Sequence, residues 1–339
     1  MGGGLHIASS LGVTESSQAS WIAASYPLTG GAFMLMSGRL GSIYEHARIL
    51  LLGASWALLG TLVFGSLAII LPNETPVSKD EKMDRVGSVL GISGFVIFNF
   101  VWNQASKAGW TSPYEITLLI FSILLFLAFN VGEYRFATHP IMPLTIFRVP
   151  SSPPVIVVVL FSFMSYGTFI WYLIAWQQER RHWSVLSTAW GLTPLAIFSA
   201  TGAFIVAWLV PRLAVQRILV IGAMVLLVAE VLVATMQEQQ LYWKQMFPAT
   251  VIQSFCPDFI YTAAQIMACN SVVRRDQGVV GSLIGILQLY ATSVGLGFAG
   301  IVETHAAADA AAGGGPADGY RAALCFGMGI AGMALVWRW

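Results

Sequence analysis

The chain predicts an all-α, polytopic membrane bundle of about ten spans, and three observations carry that prediction. Apolar runs of about 20 residues recur along the chain, and at about 1.5 Å of rise per residue each is long enough to cross a hydrocarbon core of about 30 Å. The composition is 57% hydrophobic and 10% charged, with a mean hydropathy of +0.73, which is too apolar to present an ordinary water-facing surface. The runs also lack the strict alternation of barrel strands, so helices, which satisfy their own backbone polar groups, are the expected spanning elements.

In order, spans are expected at 20–38, 49–71, 86–104, 114–133, 154–176, 187–210, 218–236, 247–270, 279–303 and 320–339. Polar joints separate them. The sequence GRLGSIYEHAR follows the first run, LPNETPVSKDEKMDR the second, QQERRHW the fifth, VPRLAVQR the sixth and VVRRDQG the eighth. With 339 residues, the chain is filled by such spans and joints and leaves no room for a sizeable soluble domain.

Orientation follows from lysine and arginine, which cytoplasmic joints retain. From the third span onward, one set of alternate joints holds Lys79, Lys82 and Arg85, then Arg135 and Arg148, then Arg212 and Arg217, then Arg274 and Arg275. The opposite set holds Lys107, Arg180, Arg181 and Lys244. The richer set is read as cytoplasmic. The joint carrying Arg39 and Arg48 breaks the pattern, because a single run, Ile49 to Leu71, separates it from the basic joint at Lys79 to Arg85. One crossing would put two basic joints on opposite faces, so either that run does not span or the number of spans has changed in this chain.

Several function classes are excluded or disfavoured. A formal charge of +1 offers no basic surface for nucleic acid. No G-x-x-x-x-G-K loop is present for an ATP-driven pump. The histidines at 6, 46, 139, 182 and 305 lie near joints without metal-like pairing, so neither a metal site nor a cofactor is expected, and enzyme chemistry gains no support. Cys256, Cys269 and Cys325 read as small packing residues rather than a disulfide framework.

An acid inside lipid is costly, by about 2.5–3.5 kcal/mol at a helix centre, and two stand out as proton-coupling candidates. Asp258 lies half-way along its run, after Pro257, which removes a backbone donor; the alternative is a hydrated carboxylate near the membrane face. Glu230 lies in VLLVAEVLVAT, where the alternative is snorkelling toward the polar cluster at Gln237 to Gln240. Glu133 and Glu303 sit at span ends and read as solvated termini. A solute path would be lined by polar and aromatic groups, for which Gln288, Tyr290, Gln265, Asn270, Tyr166, Trp171 and Tyr172 are candidates, packing or interface aromatics being the alternative. Gln288 is foremost because an amide amid LIGILQLYAT needs a partner in a dry interior. Gly281 to Gly285 has the small-xxx-small spacing that allows close helix approach.

An internal echo suggests duplicated halves: RILLLG at Arg48 to Gly53 returns as RILVIG at Arg217 to Gly222, each after a basic joint. With WIAASYPLTGGAFMLMSGRLGSIYEHAR, FNFVWNQASKAGWTSPYEITLLI, EYRFATHPIMPLTIF and RRDQGVVGSLIGILQLYATSVGLGFAGIVET, the chain resembles the major facilitator superfamily. It is most similar to the fungal fourteen-span drug:proton antiporter group of aminotriazole-resistance-like and low-affinity-ammonium-transporter-like proteins. The resemblance implies a cytoplasmic gate motif at Gly38, Arg39, Gly41, Ser42 and Arg48, in which Ser42 replaces the acid expected there.

The resemblance also implies an incomplete N-terminal half. Residues 1–71 would be a remnant of that bundle, with a junction inside Gly53 to Leu71. Residues 72–85 and 134–153 would be cytoplasmic joints, 86–133 two additional spans, and 154–339 the six-span C-terminal bundle. The expected activity is secondary active transport across the membrane: proton-coupled export of a small solute or drug by alternating access. The partners would be the solute, protons and membrane lipid, with the plasma membrane favoured over the vacuolar membrane. The competing expectation is a truncated, non-transporting relative that only associates with intact transporters.

Overall fold

The computed structural model describes residues 84–109, 112–135, 152–237, 240–272, 277–310 and 318–336. The expected spans at 20–38 and 49–71 and the motif from Gly38 to Arg48 lie outside the described residues. Each of the other eight expected spans coincides with an α-helix. These are α1 (Arg85–Ala108), α2 (Pro113–Arg135), α3 (Ser152–Ala175), α4 (Val185–Leu209), α5 (Val215–Ala234), α6 (Met246–Asn270), α7 (Gln277–Ala310) and α8 (Asp318–Val336). No strand occurs among the described residues.

Local chemistry sets the ends of these helices. Asp84 caps α1 by accepting from Gly87 N at 2.9 Å, and Gly109 closes it at a φ of 71° that favours glycine. Prolines 153 and 154 fall in the first turn of α3, where a missing N–H costs nothing. Beyond Ala175 the chain continues as a π-helical turn, Trp176–Arg180. His182, at a φ of 53°, then turns it toward α4, which Ser184 caps through Ser187 N at 3.1 Å.

Seven of the eight helices are long and apolar enough to cross a membrane. The other, α6, is diluted by Gln253, Asp258, Gln265 and Asn270. It packs against α3, α4, α5 and α7, so these polar groups can meet protein instead of lipid. At the periphery, α2 exposes Ile120, Phe121, Leu124 and Leu127, and α4 exposes Ile197, Phe204 and Trp208, as lipid-facing surfaces do. The 34 residues of α7 extend about 50 Å, well beyond a core of about 30 Å.

The helices from α3 to α8 form one bundle in which α3 touches α5, α6, α7 and α8, while the α1–α2 pair joins it through α1 against α7. Lipid tails are as apolar as leucine, so helix association here depends on close packing and interhelical hydrogen bonds. The tightest seam is α3 against α7. A Cβ on Gly167 would lie 2.6 Å from Thr292 O, and one on Gly295 would lie 2.4 Å from Met164 O. Gly297 meets the Trp102 backbone of α1 in the same way, at 2.9 Å. Close approach therefore runs through Gly295 and Gly297; a Cβ on Gly281 would meet only the Gln265 and Cys269 side chains.

A buried polar clamp holds α1 to α7. Ser293 Oγ donates to Asn99 Oδ1 at 2.8 Å, and Asn103 Nδ2 donates to the same oxygen at 2.8 Å and to Ser293 O at 3.3 Å. At one end of the bundle α6 finishes beside the start of α7, joined by Gln265. At the other, α3 and α7 finish beside the start of α8.

Candidate functional site

Glu230 on α5 is fully enclosed, at 0% exposure. Ser165 Oγ of α3 donates to its Oε1 at 2.8 Å, while Oε2 has no hydrogen-bond partner. From α8, a Cβ on Gly327 would lie 3.0 Å from Oε1, so the glycine leaves the space that the carboxyl fills. The expected alternative of snorkelling does not hold, because Glu230 is walled in by α3 and α8 instead of reaching toward Gln237. Burial in a junction of three helices replaces the water that a snorkelling carboxylate would seek.

Asp258 on α6 is half-buried and points to α4, where Ser199 Oγ donates to its Oδ2 at 3.2 Å. A Cβ on Gly202, one turn along α4, would come within 3.1 Å of that same oxygen. Helix α6 continues through Pro257 without interruption. Asp258 thus engages α4, whereas Glu230 engages α3 and α8.

Two other acids differ from expectation. Glu303, read as a solvated terminus, is only 8% exposed, and Tyr172 OH donates to its Oε2 at 2.8 Å. The extra length of α7 encloses it. Close by, Tyr320 OH donates to Glu179, and the rings of Tyr172 and Tyr320 meet edge to face at 5.8 Å. Glu133 is 5% exposed and lies beside the first turn of α1, where a Cβ on Gly87 would be 3.2 Å from its Oε1. A helix N-terminus suits an anion, and this one accommodates Glu133 together with the cap Asp84.

The solute-path candidates are not brought together. Gln265 Nε2 donates to Tyr261 OH at 2.8 Å and to Gly281 O at 2.9 Å, which ties α6 to α7. Asn270 is exposed at the last position of α6. Tyr290 turns toward α1, its ring 5.0 Å from Phe95, and its buried hydroxyl has no partner. Trp171 is buried in the apolar cluster around Phe169, Leu173 and Met246, and Tyr172 engages Glu303. Tyr166 and Gln288 are half-buried, and no partner for the Gln288 amide is seen among the described residues. The gate motif lies outside the described residues.

Arg181, at the joint after the π turn, was not singled out from sequence. It donates to Gln240 O and Gln237 O, spanning from the end of α3 to the joint between α5 and α6, and partial burial pushes its pKa down. Basic residues in joints signal sidedness, and nothing in their spacing tells which of them bridges two joints. Among the described residues, no group of three His, Cys, Asp or Glu side chains could hold a metal ion.

No family model matches the chain. It is 27% identical to an uncharacterized MFS-type transporter of Schizosaccharomyces pombe, covering 97% of this chain and 80% of that protein. It is 26% identical to the low affinity ammonium transporter of Saccharomyces cerevisiae, covering 98% and 82%, and 26% identical to the efflux pump terJ of Aspergillus terreus, covering 94% and 79%. The first two alignments run over 421 and 430 positions, so these relatives carry residues within the matched stretch that have no counterpart among the 339 here. With an all-helical architecture of membrane-length elements, the chain is an integral membrane protein, similar over more than nine-tenths of its length to transporters named as members of the major facilitator superfamily.

Proposed function

We propose that the chain exports a small solute or drug in exchange for protons, with Glu230 as the principal proton carrier. The observation that carries this reading is the full enclosure of Glu230 between α3, α5 and α8 with one carboxylate oxygen unpartnered. A carboxylate there would hold a charge with no cationic partner among the described residues in a low-dielectric interior, whereas a carboxylic acid would not, so proton uptake and release change the energy of the junction strongly. Asp258 is the second proton candidate, on the α4 side. Of the solute-contact candidates, Tyr166 and Gln288 retain half-buried polar groups, while Gln265 and Tyr172 have protein partners.

Export agrees with the efflux pump among the relatives, and ammonium is within the range of solutes because another relative is named for it. Residues 1–71 and the joint at 72–85 are read as a shortened N-terminal half, 86–133 as the additional pair and 154–339 as the second bundle. The excess alignment length supports a shortening somewhere within the matched stretch. The plasma membrane is the proposed location, and lipid and protons the proposed partners.

The test is flux in proteoliposomes containing the purified full chain under an imposed pH gradient, with methylammonium and aminotriazole as probes. Gradient-dependent flux of either, lost in Glu230→Gln, is expected. Flux that is unchanged in Glu230→Gln removes that residue from coupling, and no flux of either probe overturns the reading.

A further inference from the structure

Gln253 on α6 is 0% exposed, and neither its Oε1 nor its Nε2 has a hydrogen-bond partner. Pro257, four residues on, has no N–H, so the Gln253 carbonyl lacks its usual helical donor. Both polar atoms of the Gln253 side chain are therefore unsatisfied within a membrane bundle, where each such group is costly.

The packing of α5 on α6 shows where Gln253 sits. Gly222 of α5 lies against Ile260 of α6, since a Cβ there would be 2.8 Å from Ile260 Cγ1. The two helices run antiparallel, so eight residues forward on α5 match about eight residues back on α6. Glu230 thus falls at the level of Ile252 and Gln253. Gln253 lies two turns from Ile260, on the same face of α6. Cys256, one turn from Gln253, is likewise buried.

We propose that Glu230 and Gln253 enclose an internal water site between α3, α5 and α6, in which water joins Glu230 Oε2 to the unpartnered groups of Gln253. Such a water would have the two to four polar partners that buried waters require. It would also give the proton on Glu230 a first acceptor. The inference rests on Glu230 being a proton site and adds Gln253 as its positioning residue. The other titratable groups around this layer are Cys256 and Asp258 on α6 and Tyr166 on α3, while Ser165 of α3 and Gly327 of α8 complete the lining.

The experiment is infrared difference spectroscopy of the full chain in lipid nanodiscs across a pH titration, in ordinary water and in oxygen-18 water. A protonated-carboxyl band that Glu230→Gln removes is expected. In Gln253→Met, of nearly the same size, that band moves to higher wavenumber, and an oxygen-18-sensitive water band is lost. If the Met variant does not elute as a single species, Gln253→Asn, which keeps the amide but withdraws it by one methylene, is expected to shift the same two bands by less. A Glu230 band and water band unchanged in the variant measured overturn the inference. No band removed by Glu230→Gln at any pH overturns the proton-carrier reading instead, and loss of the water band in the Gln253 variant would then still uphold the water site.

Discussion

Replacing Gly295 with alanine tests whether the α3–α7 seam holds the bundle together. The new Cβ would lie 2.4 Å from Met164 O, 2.6 Å from its Cα and 2.8 Å from its carbonyl carbon. All three are backbone atoms, so no rotamer change relieves the clash. Ordinary contact begins near 3.4 Å, and α7 must withdraw from α3 by about 1 Å locally. A gap of about that size forfeits a quarter to a half of each pairwise attraction along the seam. Overpacking costs about 1–3 kcal/mol, and a backbone clash belongs at the upper end; against it stands a gain of about 1 kcal/mol from better helix propensity. The net expectation is a loss of about 2 kcal/mol.

Gly332 supplies the control, since a Cβ there meets nothing within 4 Å and alanine should gain up to about 1 kcal/mol. At about 2–4 °C per kcal/mol, the two variants should melt on the order of 10 °C apart. Thermal unfolding of each in the same detergent, followed by tryptophan fluorescence, reads the difference. Gly295→Ala melting at or above Gly332→Ala would refute the claim that backbone contact at this seam is a main support of the bundle.

Two further outcomes follow from the polar clamps. Asn99→Ala and Ser293→Ala should each destabilise by about 1 kcal/mol, and a double-mutant cycle should give a coupling of about 0.6–1.7 kcal/mol, the range for hydrogen bonds between membrane helices; additive effects would show that the α1–α7 clamp contributes nothing. Gln265→Leu should cost about 1 kcal/mol by removing the bonds to Gly281 O and Tyr261 OH and should raise amide hydrogen exchange at the start of α7, as mass spectrometry would detect. Unaltered exchange there would return Gln265 to the set of solute-facing residues.

Hydropathy alone located the helices at 86–104, 114–133, 154–176 and onward to 320–339, because lipid lets a chain cross only as closed helices and each crossing needs about 20 apolar residues. The same pattern singled out Glu230 and Asp258, since an acid in such a run violates the rule that makes the run legible. What each acid faces depends on neighbours remote in sequence. Ser165 is 65 residues from Glu230, and the Tyr172 that meets Glu303 is 131 residues away. Gln265 and Gln288 look alike as amides within apolar runs, yet one ties α6 to α7 and the other does not, because a helix has several faces and only the packing decides what each one meets. Helices were therefore determined locally by solvent, whereas the enclosure of Glu230, the backbone contact at Gly295 and the isolation of Gln253 were decided by how α3, α5, α6, α7 and α8 come together.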